Sequence, residues 1–229
     1  MYKRQEIRSW KKTLSGSADQ IVTVSESTKR DLCRLHGVDS SLVKVIHQGI
    51  SIRPPKGPVD PPPGTPKRYI LFVGHRWIYK NFSPFLNAVS GLLRKDRELH
   101  LVCAGGDPFS TSENETISKL GVLGQVHHVR IDDNTLVSLY KNALAFVFPS
   151  LYEGFGLPVL EAFSCGCPVV LSNTSSLPEV GGDAAAYFDP YNEASMTEVV
   201  SRVVHDEDAR ARMAAKGPVS YTHLTLPTT

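Results

Sequence analysis

Short apolar runs alternate with amphipathic stretches along most of the chain. The apolar runs are rich in β-branched and aromatic residues and are bounded by Gly, Pro or polar residues, which is typical of strands buried on both faces. They predict strands at residues 19–25, 43–46, 69–73, 99–104, 126–129, 144–148, 167–171 and 184–188. Helices are predicted at residues 27–35, from about 83, and at 113–120, 134–142, 158–165, 177–183 and 193–215. This alternation predicts an α/β fold with an open, doubly wound parallel sheet of the Rossmann type.

A proline-rich segment divides this pattern into two unequal parts. Residues 53–68 contain seven of the sixteen prolines of the chain, which predicts a semi-rigid linker. Residues 69–218 contain most of the predicted strands and should form one complete domain. Residues 6–52 contain one β-α-β piece, which is too short to bury a core alone and is expected to be the end of another domain.

The two ends of the chain are expected to have a different origin. Met1–Gln5 and Val219–His223 can be encoded by DNA stretches that are inverted copies of each other, which resembles a sequencing adaptor read as coding sequence. We therefore expect residues 1–5 and 219–229 to derive from such an adaptor, and the chain to be truncated on both sides.

Composition excludes several classes of function. Without Lys3 and Arg4 of the expected adaptor, acidic and basic residues are equal in number, so the net charge favours neither nucleic acid nor an anionic membrane as a partner. No apolar run approaches the roughly 20 residues of a membrane-spanning helix. The four cysteines lie in apolar contexts without the spacing of a zinc site, which predicts free thiols in a reducing compartment.

A glycine loop between two carboxylates is the most informative stretch. Gly154-Phe155-Gly156-Leu157 follows a predicted strand and opens a helix, so its amides could bind a phosphate. Glu153 precedes the loop and Glu161 lies one turn inside the helix, where each could accept hydrogen bonds from sugar hydroxyls. Either carboxylate could instead be an ordinary partner of the helix dipole.

Two further loops should share the same edge of the sheet, since the carboxyl ends of parallel strands meet there. Residues 74–81 begin with Gly74 and carry Arg76 and Lys80, two cations that could neutralise a diphosphate. Gly105 follows the next strand and would permit close approach of a ligand. A solvated basic loop and an ordinary turn are the alternatives. Together the three loops predict a clamp for a nucleoside diphosphate that carries a sugar.

Other binding motifs are weak in this sequence. Position 159 is Val where the dinucleotide fingerprint requires its third glycine, so binding of NAD is not favoured. Asp206-Glu-Asp208 lies in a polar helical segment and reads as a solvated face, and His127-His128 lacks further ligands. The sequence therefore predicts no metal and no cofactor.

The segment Glu153-Gly-Phe-Gly-Leu-Pro-Val-Leu-Glu161 resembles the Glu-x7-Glu motif of the retaining glycosyltransferases of family 4, which have the two-domain GT-B fold. Residues 69–81, 104–106, 148–150, 165–168 and 178–179 support the resemblance. Residues 19–25 and 45–49 resemble the last part of the acceptor domain of such enzymes. The resemblance implies that the chain comprises the donor-binding domain and that most of the N-terminal domain is missing.

The resemblance also implies roles for individual residues. Glu153, Arg76 and Lys80 would be catalytic, with Glu153 on the donor sugar and the two cations on the departing diphosphate. Glu161 would bind the ribose hydroxyls. Donor contacts are expected from the loop residues Gly74, Gly105, Phe155, Gly156 and Leu157.

The implied reaction transfers a sugar, without a metal and with retention, from a nucleotide donor to a glycan or lipid-linked acceptor. Tyr79-Lys-Asn-Phe82 resembles mannosyltransferases of bacterial polysaccharide assembly, which implies GDP-mannose as the donor. Such an enzyme would be cytoplasmic or peripheral at the inner face of the membrane, attached through the missing N-terminal domain. The truncated chain alone is expected to be inactive. A sugar-nucleotide epimerase of GT-B architecture and a non-catalytic nucleotide-sugar-binding module are the alternatives.

Overall fold

The computed structural model describes residues 17–225 except positions 51, 53 and 56, and it describes no side chain beyond Pro218. Strands are β1 Ile21–Thr23, β2 Val43–Val45, β3 Tyr69–Val73, β4 His100–Ala104, β5 Val126–Val129, β6 Ala145–Phe148, β7 Val169–Ser172 and β8 Ala185–Phe188. Helices are α1 Glu26–His36, α2 Phe82–Lys95, α3 Thr111–Lys119, α4 Asp133–Asn142, α5 Leu157–Ser164, α6 Leu177–Gly181, α7 Glu193–His205 and α8 Glu207–Thr225.

Six strands form one parallel sheet in the order β5-β4-β3-β6-β7-β8. The chain runs outward from β3 to β5 and then returns to β6 beside β3, so the direction of winding reverses between these two strands. A crevice forms outside the carboxyl ends of the strands at such a switch point. Here it lies between the loops that follow β3 and β6.

Helices cover both faces of the sheet, and the strands alternate side chains between the two resulting cores. In β3, Ile70 and Phe72 belong to the core that includes α2 and α7, whereas Leu71 and Val73 belong to the core that includes α4 and α5. All five β3 side chains are buried, because a central strand covered on both faces has no solvent side. The doubly wound α/β fold expected from the sequence is therefore confirmed.

The N-terminal piece forms a separate two-stranded parallel sheet, β1-β2, joined by α1. Ser25 caps α1 by accepting a hydrogen bond from the Thr28 amide, and Gly37 ends the helix in the left-handed conformation. The amino end of α1 faces the glycine loop of the larger sheet, with consequences for the site described below.

Several element boundaries differ from those expected. Helix α5 begins at Leu157, and Pro158 is its second residue. Proline is tolerated there because residues of the first turn need no N–H for an intrahelical hydrogen bond. Strand β7 begins at Val169 rather than at residue 167, because Pro168 has no N–H to donate to the ladder. Residues 193–215, expected to be one helical segment or a pair, form the pair α7 and α8, and α8 continues to Thr225, into the segment attributed to an adaptor. Residues 1–5 and 226–229 lie outside the described residues.

Candidate functional site

The crevice at the switch point holds an ion pair between the two loops. Lys80 ends a 3₁₀ turn after β3, and Glu153 follows β6. Lys80 Nζ lies 2.8 Å from Glu153 Oε1 and 4.5 Å from the centroid of the Phe148 ring. The two charged side chains are only 12% and 14% exposed. The structure thus brings together two residues that are 73 positions apart in the sequence.

The glycine loop has an unusual backbone conformation and backbone N–H groups without acceptors. Gly156 has a φ of 105°, which favours glycine, and a Cβ there would lie 3.1 Å from Leu177 Cδ2. Among the described residues, the N–H groups of Phe155, Gly156 and Leu157 have no hydrogen-bond acceptor. Unpaired amides at the start of α5 make this loop suited to an anion.

Four hydroxyl groups, which we call the hydroxyl clamp (Ser25, Thr28, Ser175 and Ser176), bond to the backbone of the same loop. Three of them bond to carbonyl oxygens, whereas Ser175 accepts an N–H. Ser176 Oγ lies 2.9 Å from the carbonyl oxygens of both Glu153 and Phe155. The Ser25 hydroxyl donates to the Gly154 carbonyl at 2.7 Å, and the Thr28 hydroxyl lies 3.1 Å from the same oxygen.

Within the clamp, Ser175 Oγ accepts the Glu153 N–H at 2.9 Å. The carbonyls of the loop are thus bonded, whereas the N–H groups of Phe155, Gly156 and Leu157 have no acceptor among the described residues. The sequence indicates Ser25 only as a helix cap and gives no sign of the other members, because their partners are distant in the chain.

The loops after β3 and β4 pack directly against each other. Gly74 donates its N–H to the Ala104 carbonyl at 2.8 Å, and Gly105 donates to Val129 at 2.9 Å. Gly105 and Gly106 have positive φ angles of 76° and 68°, and a Cβ on Gly106 would lie 3.1 Å from the Gly74 carbonyl oxygen. Gly106 is therefore required by close contact with the loop after β3, whereas a Cβ on Gly105 would lie 3.0 Å from Ile131 Cδ1.

Arg76 is held apart from the Lys80–Glu153 pair. Its Nε lies 2.6 Å from Glu113 Oε1, and the side chain is 5% exposed. The guanidinium lies 4.7 Å from the Phe109 ring centroid and donates to the Asp107 carbonyl. The buried Nη1 has no partner among the described residues. The two cations therefore do not form the joint clamp drawn from the sequence, and a role of Arg76 on a diphosphate stays a prediction.

Glu113, the partner of Arg76, caps α3. Burial alone would raise its pKa, but hydrogen bonds from Arg76 and Ser110 outweigh this and hold the pKa of Glu113 below its usual value. The carboxylate is therefore charged and satisfied, and it fixes the Arg76 guanidinium against the loop that follows β4.

Glu161 lies in α5 and has a different environment from Glu153. It accepts a hydrogen bond of 3.3 Å from the Tyr140 hydroxyl of α4. Burial raises the pKa of the Glu161 carboxyl, an effect that the Tyr140 hydrogen bond partly offsets. Glu161 follows the glycine loop closely in the sequence, but among the described residues it forms no hydrogen bond or ion pair with Lys80 or Glu153.

Glu179 joins the N-terminal piece to the larger sheet. Its carboxylate accepts the backbone N–H groups of Glu26 and Ser27 at the start of α1, at 2.9 and 3.2 Å. His47 Nε2 lies 2.8 Å from the same carboxylate, and its ring stacks on Phe155 of the glycine loop with centroids 5.6 Å apart. The N-terminal piece therefore covers part of the glycine loop.

Two clefts stand out on the described surface. One of about 370 Å³ lies between α1 and the carboxyl ends of β6, β7 and β8, next to the glycine loop. A larger one of about 640 Å³ lies between α2 and α7 at the opposite edge of the sheet and touches none of the loops described above. The described residues contain neither a helix able to cross a membrane nor a cluster of three metal-ligating side chains.

Comparison with known proteins defines the class. The family model for glycosyl transferases group 1 matches residues 59–219, and the model for Glycosyltransferase Family 4 matches residues 2–53. The chain therefore belongs to the group 1 glycosyltransferases. The group 1 match covers all six strands of the larger sheet.

Individual relatives carry mannosyltransferase names. The chain is 31% identical to the O-antigen chain mannosyltransferase B of Escherichia coli, over 93% of this chain and 60% of that protein. It is 28% identical to the O-antigen chain mannosyltransferase RfbU of Salmonella typhimurium, over 84% of this chain and 53% of that protein. The chain thus spans little more than half the length of these relatives.

Solved structures confirm the GT-B architecture. A glycosyltransferase from Rickettsia africae superposes with a TM-score of 0.79 at 17% identity, over 93% of this chain and 62% of that chain. At this identity the likeness shows the fold alone.

Proposed function

We propose that the crevice between Lys80 and Glu153 binds the diphosphate and sugar of a nucleotide-sugar donor in a retaining, metal-independent glycosyltransferase. The observation that carries the proposal is the buried Lys80–Glu153 pair at 2.8 Å, beside three unpaired amides. A cation and fixed amides on one side of a crevice suit the diphosphate, and a carboxylate suits the sugar hydroxyls.

The chemistry follows from charge. When the bond between sugar and diphosphate breaks, negative charge grows on the diphosphate while the sugar becomes positively charged. Lys80 and the amides of Phe155, Gly156 and Leu157 would stabilise the first, and Glu153 would bind hydroxyls of the second. Groups fixed before the reaction stabilise this charge without reorganisation, and loss of one such group typically costs about 100- to 1,000-fold in rate.

The remaining predicted residues have supporting roles in this proposal. Glu161 would accept the ribose hydroxyls, and Gly74 and Gly105 would let the backbone approach the donor. Arg76 would reach the diphosphate only after releasing Glu113, so we assign the larger share of the charge stabilisation to Lys80.

Mannose is the proposed sugar, because the relatives named above are mannosyltransferases. GDP-mannose would be the donor and a glycan or lipid-linked sugar the acceptor. The proposed location is the cytoplasm or the inner face of the membrane, where such a donor and acceptor meet.

The test measures binding of GDP and of UDP to the full chain by calorimetry. GDP should bind, and Lys80→Ala should weaken binding at least tenfold, because a charge-assisted hydrogen bond to phosphate is worth about 1.5–3 kcal/mol. Lys119→Ala is the matched control, since this lysine is exposed at the end of α3. GDP affinity that is unchanged in Lys80→Ala would contradict the proposed role.

Product analysis separates transfer from its alternatives in the E. coli relative. With GDP-mannose and acceptor, a transferase forms a new glycosidic bond, whereas an epimerase releases a sugar without acceptor. A binding module would give neither product although GDP still binds.

A further inference from the structure

The smaller cleft, which we call the α1 cleft, lies on the other side of the β6 loop from Lys80. Glu153 directs its carboxylate to Lys80, whereas the preceding Tyr152 directs its hydroxyl to Asp31 of α1 at 2.9 Å. The cleft has a volume of about 370 Å³, which is within the range of small-ligand sites. Its lining comes from α1 and from the loops after three neighbouring strands, and includes Arg30, Arg34, Tyr152, Thr174, Ser175 and Tyr191.

The charge of the α1 cleft is positive. Arg34 pairs with Asp31 at 2.8 Å, and this hydrogen bond holds the pKa of the Asp31 carboxyl below its usual value. Tyr152 binds the other oxygen of the same carboxylate. Arg30 forms no ion pair with any described residue, so its charge remains available to a ligand.

Aromatic and hydroxyl groups complete the lining. The Tyr191 side chain is 75% exposed and Tyr152 is 47% exposed, and each offers an apolar ring face with a polar tip. Thr174 and Ser175 add hydroxyls. Ring faces can pack on the C–H face of a sugar, hydroxyls can bond its oxygens, and a guanidinium fits a phosphate.

The cleft is also connected to the proposed donor site. Ser175 lines the cleft and has a φ of 53°, an uncommon conformation for a residue with a side chain. Its Oγ accepts the Glu153 N–H at 2.9 Å. Backbone conformations of this kind are concentrated at functional sites. A ligand in the cleft would therefore contact the residue that fixes Glu153.

We infer that the α1 cleft binds a phosphorylated saccharide and anchors it as part of the acceptor. The inference rests on the proposed function for the role as acceptor, whereas the binding itself does not depend on it. The saccharide lies against Tyr152 and Tyr191, and its phosphate pairs with Arg30.

The test titrates the full chain with mannose 6-phosphate by calorimetry, in the presence of saturating GDP so that the donor crevice is occupied. Mannose 6-phosphate should bind to the GDP-loaded chain, and Arg30→Ala should weaken this binding about tenfold, as expected for loss of one charge-assisted contact. Tyr191→Ala should weaken it too. Arg212→Ala removes an exposed guanidinium of α8 and should have no effect.

Other outcomes overturn the inference. Equal affinity in Arg30→Ala and Arg212→Ala would exclude the cleft as the site. Inorganic phosphate binding as tightly as mannose 6-phosphate would mean a simple anion site, and neutral mannose binding equally well would exclude the phosphate contact. If GDP fails to bind but the Arg30 effect persists, the proposed donor function falls while the saccharide site remains.

Discussion

Two ion pairs with little exposure fix the loop that follows β3, and they act in different ways. Lys80 pairs with Glu153 across the crevice. A ligand there could take the place of Glu153 on Lys80 and of Lys80 on Glu153. Arg76 pairs with Glu113 behind the loop, between aromatic rings and carbonyl oxygens. The first pair is therefore placed to change partners on binding, whereas the second is placed to hold the backbone.

This difference predicts that Glu113→Gln destabilises the protein more than it alters nucleotide binding. Loss of the carboxylate charge leaves the buried Arg76 guanidinium without its counter-ion, which costs about 3–5 kcal/mol for a fully buried pair and less here, since Glu113 is 22% exposed. We expect a loss of about 2 kcal/mol in the free energy of unfolding, measured with urea. Glu115→Gln, an exposed change on the same helix, is the control.

The pH dependence supplies a second readout for Glu113. Its folded-state pKa is lowered, so its stabilising contribution is complete above the unfolded pKa of about 4.3 and is lost as the pH falls through the folded pKa. The Gln variant should lose this part of the acid sensitivity. An equal acid slope in the variant and in the wild type would contradict the assignment.

At the scale of elements, the glycine loop and α5 act as one unit. The hydroxyl clamp holds the carbonyls, and Gly156 takes the left-handed conformation that begins α5. Through the clamp, α1 also contacts the glycine loop, although the neighbouring strands β1 and β2 form a separate sheet.

Gly156→Ala should disrupt this unit. The left-handed backbone and the contact with Leu177 both oppose a side chain, which costs about 1–3 kcal/mol. We expect a lower urea midpoint and GDP binding weakened at least tenfold by displacement of the amides. Gly124→Ala is the matched control, because a Cβ there meets nothing within 4 Å. Similar losses in both variants would refute a special role for Gly156.

For the whole molecule, the contact between the N-terminal piece and the larger sheet combines hydrogen bonds with apolar packing, since Val24 and Ile50 pack against the core that includes α4 and α5. Its hydrogen bonds come from Glu179, which binds two amides of α1 and His47, and from Ser25 and Thr28, which bond to Gly154. These contacts tie the N-terminal piece to the glycine loop.

Glu179→Ala should loosen this contact. We expect the segment around residues 17–50 to become more sensitive to limited proteolysis, and stability to fall by about 2 kcal/mol as charged hydrogen bonds are lost. Glu198→Ala, an exposed change on α7, should leave the digestion pattern unchanged. Protection of the segment in both variants would show that other contacts hold it.

Sequence periodicity predicted the strands and helices well because the strands of a doubly covered parallel sheet are continuous apolar runs, as in β3 and β6. The partners of Arg76 could not be predicted in this way. Spacing along a loop places Arg76 and Lys80 on one sheet edge, but only the positions of Glu113 and Phe109 decide that the guanidinium turns away.

The sequence by itself therefore determined the α/β class, and it predicted the glycine loop, Lys80 and Glu153 as parts of a site, because these depend on local patterns and on the rule that parallel strands end at one edge. Only the tertiary structure decided the pairing of Lys80 with Glu153, the hydroxyl clamp and the α1 cleft. Their partners come from segments far apart in the chain, and hydrogen bonds and ion pairs of this kind require atomic positions that no local pattern contains.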